Sequence, residues 1–280
     1  MDRDFENLKI YRPFIQRVYF VYVLLDLAYR WYSNVLLHQL AQPVLFDPEF
    51  DLTYYGFVVS GLSFQLTQHY WLAVLFDGLL FIAALAGLLF ASRNIFPTAF
   101  FICYFIYIIT FNLFSGHHYH TIGILVMGFP FIFSDGISFS YMFYAVRYFL
   151  LFEMGSASLW KLFRGTLVNV DQFTSILKFQ RIDYALFYPD AFKSQLTAFF
   201  IDHTYVAHSM WVGLFILQFS FIAGFFTRKL DLMLLCAYVF FSVGSYLLMH
   251  MFTLVLENSV LLLTLLPWKK LSEKSGLFPH

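Results

Sequence analysis

Residues 70–90 read YWLAVLFDGLLFIAALAGLLF, a run of 21 in which Asp77 is the one charged side chain. About 20 apolar residues span the hydrocarbon core of a bilayer as a helix, and a helix lets such a run satisfy its own backbone polar groups there. The stretch therefore predicts a transmembrane helix. Outward from it, seven other segments come near the same length: Pro13–Trp31, Pro97–Phe114, Tyr119–Phe133, Ser138–Leu162, Tyr205–Phe226, Leu230–Met249 and Phe252–Leu266. The segment at 119–133 is short and contains Pro130, so a re-entrant path is the alternative to a crossing there. The expected fold is all-α, a polytopic transmembrane helical bundle of about eight spans forming a single domain over residues 1–280.

Composition agrees with that class. Of 280 residues, 60% are hydrophobic, 22% aromatic and only 12% charged, against about a quarter charged in soluble domains. Lysine plus arginine balance aspartate plus glutamate at 17 each, which leaves no basic field for nucleic acid. Cys103 and Cys236 each lie in an apolar stretch and are read as small core residues, too few for a disulfide framework or a thiolate metal site. The N-terminal MDRDFENLKIYRPF has mixed charge and no cleavable-leader pattern, so the first apolar segment is expected to stay in the protein.

Short-loop lysines and arginines set the orientation, since they favour the cytoplasmic side. With eight spans, Arg3, Lys9, Arg12, Arg93, Arg228, Lys229, Lys269, Lys270 and Lys274 all fall on one side, together with both termini. The other side receives the turn GHHYH at 116–120, the end of the fifth span, the turn around His250 and a long segment at 165–203. That segment carries an interrupted helical apolar face (Phe173, Ile176, Leu177, Ile182, Leu186, Phe192, Leu196, Phe199), which predicts an amphipathic piece lying along the membrane surface. A lid and a plain packed connector are equally consistent with it.

Ionisable groups in hydrocarbon cost on the order of 3 kcal/mol unless paired or hydrated. The fifth span reads ISFSYMFYAVRYFLLFEMGSASLWKLFRG, and at about 100° per residue Arg147, Glu153, Lys161 and Arg164 share roughly a third of the circumference. Gly155, Ser156, Ala157 and Ser158 allow another helix or a flat ligand to come close. His250 and Glu257, seven residues apart, share a face if the helix is continuous between them, with Asn258 alongside. Asp26 and Asp77 have no obvious local cation. Arg17 and Arg147 are candidate partners, and buried structural pairs are the expectation for Asp26, Asp77 and Arg147.

By the orientation above, Lys161, the His117, His118 and His120 cluster, and His250 lie toward the non-cytoplasmic leaflet. Removal from water weakens an amine's hold on its proton, and an imidazole relays charge. Such a set suits proton abstraction from an amphipathic substrate such as a quinol. The alternative for Lys161 is an interfacial lysine reaching toward water beside Trp160. A metal at HHYH is disfavoured, because adjacent imidazoles diverge on a helix and no carboxylate or thiolate stands at a matching spacing.

The stretch YFLLFEMGSASLWKLFRG resembles the aromatic, small-residue, Lys-Leu segment of the membrane domain shared by vitamin K-dependent gamma-carboxylases and the bacterial HTTM (horizontally transferred transmembrane) proteins. GHHYHTIGILVMGF is similar to that family's histidine-plus-aromatic turn before a span, and SYLLMHMFTLVLENSVLLLTLLPW to its later helix with a histidine near one end. The three occur in the same order. The resemblance implies a multi-pass protein of the bacterial inner membrane, with Lys161 as the base acting on a reduced quinone and His118 and His250 as the assisting histidines. Arg147, Glu153, Trp160, His117, His120, Glu257 and Asn258 would line the binding region. A quinone or quinol is the implied cofactor or substrate. The DoxX and MauE type of membrane protein shares a similar Lys-Leu helix and stands second. Two rival functions are a non-catalytic membrane subunit that binds a partner protein through its polar stripe, and a transporter.

Overall fold

The structure, a computed structural model, describes residues 2–40, 52–91, 93–115, 122–249, 257–268 and 271. Among the described residues there is no β-strand. The helices in order are α1 (Asp2–Tyr32), α2 (Leu52–Ser60), α3 (Leu62–Gln68), α4 (Tyr70–Leu89), α5 (Ile95–Ser115), α6 (Gly123–Gly128), α7 (Gly136–Phe163), α8 (Gln172–Phe187), α9 (Phe192–Asp202), α10 (Thr204–Phe219) and α11 (Asp231–Met249). Short 3₁₀ turns follow α1, α6 and α10, and another covers Val260–Leu265. Four helical stretches are long and apolar enough to cross a membrane: Tyr70–Leu89, Ile95–Leu113, Thr204–Phe225 and Asp231–Leu248. Helices α1 and α7, of 31 and 28 residues, are longer but carry several ionisable side chains. The segment containing Pro130 is a six-residue helix and a four-residue 3₁₀ turn, shorter than the roughly 20 residues a bilayer core requires.

The chain forms two compact units: 1–144 with 256–263 and 268–280, and 145–255 with 264–267. In the first, α1 and α5 pack against α4. The buried positions of α4 are Ala73, Asp77, Leu80, Ala84 and Gly87, spaced four and three apart along one seam. Its outward face holds Trp71, Leu75, Leu79, Ile82 and Leu89, each more than half exposed. The outward face therefore carries most of the bulky apolar side chains, while the inward seam, Leu80 apart, is made of small residues and Asp77, the reverse of a helix on a soluble core. Gly87 is required by this packing, because a Cβ there would run into the Phe20 ring of α1. The Gln16 amide also donates to the Gly87 carbonyl at 2.9 Å.

In the second unit, α8 and α9 pack on α10 and α11. Phe173, Leu177, Ala207, Trp211 and Leu248 form its core. The 165–203 segment is thus two helices seated on the bundle. Residues such as Phe187 and Phe192 stay exposed on it. Helix α7 starts with Asp135, whose carboxylate accepts the Ser138 backbone N–H at 2.6 Å. That bond holds the exposed Asp135 carboxyl below its usual range. The helix ends at Gly165, whose φ of +65° suits a glycine. The amide of Gly165 reaches the Leu162 carbonyl at 3.0 Å, and that of Thr166 the Lys161 carbonyl at 3.1 Å, closing the last turn.

The cysteines are not the core residues expected. Cys103 is half-buried and Cys236 exposed, because Leu234, Ala237 and Tyr238 set the inward phase of α11 and turn Cys236 away. The packing at Gly87 gives a direct test. Gly87→Ala should cost about 1–3 kcal/mol from overpacking and lower the thermal unfolding midpoint in detergent. Gly78→Ala, on the same helix but with open space at its Cβ, should leave that midpoint unchanged or raised.

Candidate functional site

The stripe on α7 resolves into separate environments within the second unit. Arg147 is buried, and its guanidinium forks onto Asp231 at the start of α11, with Nη2 to Oδ1 at 2.5 Å and Nε to Oδ2 at 3.2 Å. Nη2 also donates to the Gly224 carbonyl at 3.1 Å. Paired charge and full use of the fork make this a structural tie, as expected for Arg147, but the partner is Asp231 and not Asp26 or Asp77. Gly224 permits it by close packing: a Cβ there would meet Leu151 and Leu234. Glu153 is half-buried two turns further on.

Lys161 sits in the last turn of α7 and is half-buried. Its Nζ donates to Gln218 Oε1 and lies 4.5 Å from the centroid of the Trp211 ring. Both partners come from α10, seven residues apart and so on one face. Trp211 is fixed in turn: its indole N–H donates to the Thr166 carbonyl at 3.2 Å, and its ring stacks on Phe173 at 5.5 Å. Thr166 Oγ1 closes the circuit by donating to the Lys161 carbonyl at 3.0 Å. Among the described residues no carboxylate stands within ion-pair distance of Lys161. The group is held by an amide oxygen, an aromatic face and the negative end of a helix dipole. Trp160 instead points outward, 58% exposed, with the Arg164 guanidinium 4.6 Å over its ring.

No protein-family model, curated protein or solved structure matches this chain.

Glu257 and Asn258 belong to the first unit, where they are buried. Glu257 Oε1 accepts from the Arg30 guanidinium and, at 3.0 Å, from the Tyr104 hydroxyl. Arg30 Nε binds Asp26 Oδ2 at 2.7 Å, and Nη1 donates to the Tyr107 hydroxyl at 3.2 Å. Asp26 does therefore have a local cation, one turn ahead on its own helix, and neither Arg17 nor Arg147 is its partner. Arg17 is exposed. Asp77 of α4 accepts the backbone amides of Leu37 and His38 at 3.3 and 3.0 Å and the His38 ring nitrogen at 2.7 Å. Buried pairing holds for all three groups.

His117, His118, His120 and His250 lie outside the described residues. Among the described residues, no cluster of three His, Cys, Asp or Glu side chains could hold a metal. Sequence reasoning missed Gln218, Trp211, Asp231 and Arg30. Gln218 had a visible signal, an amide ending the apolar run WVGLFILQF. Asp231 and Arg30 sit at helix ends, where charge is unremarkable.

Removing one partner of a buried ion pair costs about 3–5 kcal/mol. Asp231→Asn should accordingly lower the unfolding midpoint in detergent markedly, whereas Arg164→Ala, at an exposed position, should shift it little.

Proposed function

We propose that this chain is a multi-pass membrane protein of about eight spans, with both termini in the cytoplasm of a bacterium. We propose further that it is related to the HTTM and vitamin K-dependent gamma-carboxylase-like membrane domain, and that Lys161 exchanges a proton with a quinone or lipid-like substrate near the non-cytoplasmic leaflet. One observation carries the functional part. Arg30 and Arg147 are each locked by a carboxylate, while Lys161 is cradled, among the described residues, by neutral groups only. A carboxylate partner would hold the ammonium proton in place. Amide and indole partners orient the nitrogen and leave the proton free to be given to an oxygen of a bound substrate, or taken back from it.

The membrane part is supported by the four long apolar helices and by the outward-facing leucine, isoleucine and tryptophan side chains of α4. The small side chains Ser156 and Ala157, one turn before Lys161 on α7, are only partly buried and suit the close approach of a flat group.

The test is quinone content. Protein purified in mild detergent from its native membrane should retain extractable isoprenoid quinone. Lys161→Ala, which loses a hydrogen bond from a charged donor worth about 1.5 kcal/mol, should bind added menaquinone or ubiquinone about tenfold more weakly. Lys161→Arg should keep binding and lose any turnover. Wild-type protein with no retained quinone and no saturable binding, carrying instead a stoichiometric partner protein, would replace this reading with that of a membrane subunit. For topology, reporter fusions at the C-terminus and in the loop at Arg93 should report the cytoplasm, and a fusion near Asn169 the opposite side.

A further inference from the structure

The first unit contains a charge imbalance that the Lys161 reading does not use. Asp26, Arg30 and Glu257 are each no more than 2% exposed. Among the described residues Arg30 is the one guanidinium serving both acids, so the trio carries two potential negative charges against one positive. Among the described residues, the remaining titratable groups around it do not restore the balance. Tyr22 faces Asp26 and Arg30 from α1. From α5, the Tyr104 proton goes to Glu257 Oε1 and the Tyr107 proton to the Val35 carbonyl at 2.9 Å. Asp77 acts on Tyr107 from α4 as a further acid, already tied to His38.

The two oxygens of Glu257 are treated unequally. Oε1 collects both donors, Arg30 and Tyr104, while the buried Oε2 meets no hydrogen-bond partner among the described residues. An ionised carboxylate shares its charge between both oxygens and leaves half of it at Oε2 without any donor, the costliest arrangement in an apolar interior. A carboxylic acid fits the same geometry better. Its carbonyl oxygen takes the two donors, and its hydroxyl oxygen leaves a neutral O–H unpaired, which costs less than half of an unpaired charge. Asp26, bound to Arg30 Nε at 2.7 Å, is the acid that remains ionised and matches the guanidinium.

We propose that Glu257 is a buried proton-binding site, holding one exchangeable proton on Oε2 beside the neutral Asp26–Arg30 pair. Loading forms a single O–H bond and removes one negative charge; unloading reverses it, and no other bond changes. The proposal does not rest on Lys161 or on quinone binding, and either assignment can fail without the other.

Infrared spectroscopy of the protein in lipid nanodiscs tests it, because a protonated carboxyl has a carbonyl stretch that an ionised one lacks and that shifts in D2O. The expected result is such a band in the wild type, lost in Glu257→Gln and retained in Asp26→Asn and Glu153→Gln. Glu257→Gln should also keep the wild-type unfolding midpoint, since it replaces a neutral acid by a neutral amide, while Asp26→Asn lowers it. A second measurement needs no variant: a carbodiimide, which attacks protonated carboxyls in apolar settings, should modify Glu257 faster in acid than in alkaline buffer. The proposal is overturned by a wild-type spectrum without the band, by a band lost only in Asp26→Asn, or by carbodiimide adducts on Asp26 and none on Glu257. Loss of the band on adding sodium at fixed pH would likewise overturn it, in favour of a metal cation at that position.

Discussion

Within the first unit, everything near the end of α1 depends on the Arg30 guanidinium. It binds Asp26 one turn back on its own helix, the Tyr107 hydroxyl of α5 and the Glu257 carboxyl 227 residues further along the chain. It also lies 5.4 Å from the rings of Tyr107 and Phe111. A guanidinium that has lost its water needs acceptors for its donors, and here each of its three nitrogens donates once, to its own helix and to two distant stretches of chain. Gly123 shows how tight the convergence is: a Cβ there would collide with the Glu257 carbonyl and the Asn258 side chain.

The same physical demand separates three kinds of buried polar group. Arg147 and Asp231 form a matched pair with the guanidinium fork filled, which fixes packing and leaves no proton to move. Asp77 is neutralised differently, as a carboxylate receiving two backbone amides and an imidazole where a 3₁₀ turn begins. Among the described residues Lys161 has no counter-ion and is held by the end of a helix, an amide oxygen and an indole face. In the first two, mutual attraction offsets desolvation. The third has no ion pair among the described residues to hold it, which is what the proposed proton exchange rests on.

The second unit builds that cradle from local rules applied in succession. Gly165 ends α7 and brings Thr166 back under the last turn, where its hydroxyl and amide hold the Lys161 carbonyl and its own carbonyl holds the Trp211 indole. Trp211 then packs on Phe173 of α8 within the unit's hydrophobic core. Helix α8 is thus linked to Lys161 through Trp211.

The sequence by itself determined the helical class, the long apolar stretches, the amphipathic helices after Gly165 and the need for buried acids and arginines to be paired. Those follow from hydrophobic content and periodicity, which are written within a few turns of chain. Tertiary structure alone decided who pairs with whom. Asp26 with Arg30 was within local reach, yet Arg147 with Asp231, Lys161 with Gln218 and Arg30 with Glu257 join residues 84, 57 and 227 positions apart. The inward phase of α11 that turned Cys236 outward belongs to the same category. A hydrogen bond or ion pair depends on a few ångströms of separation in space, and no spacing along one helix encodes the rotation and height at which another helix arrives.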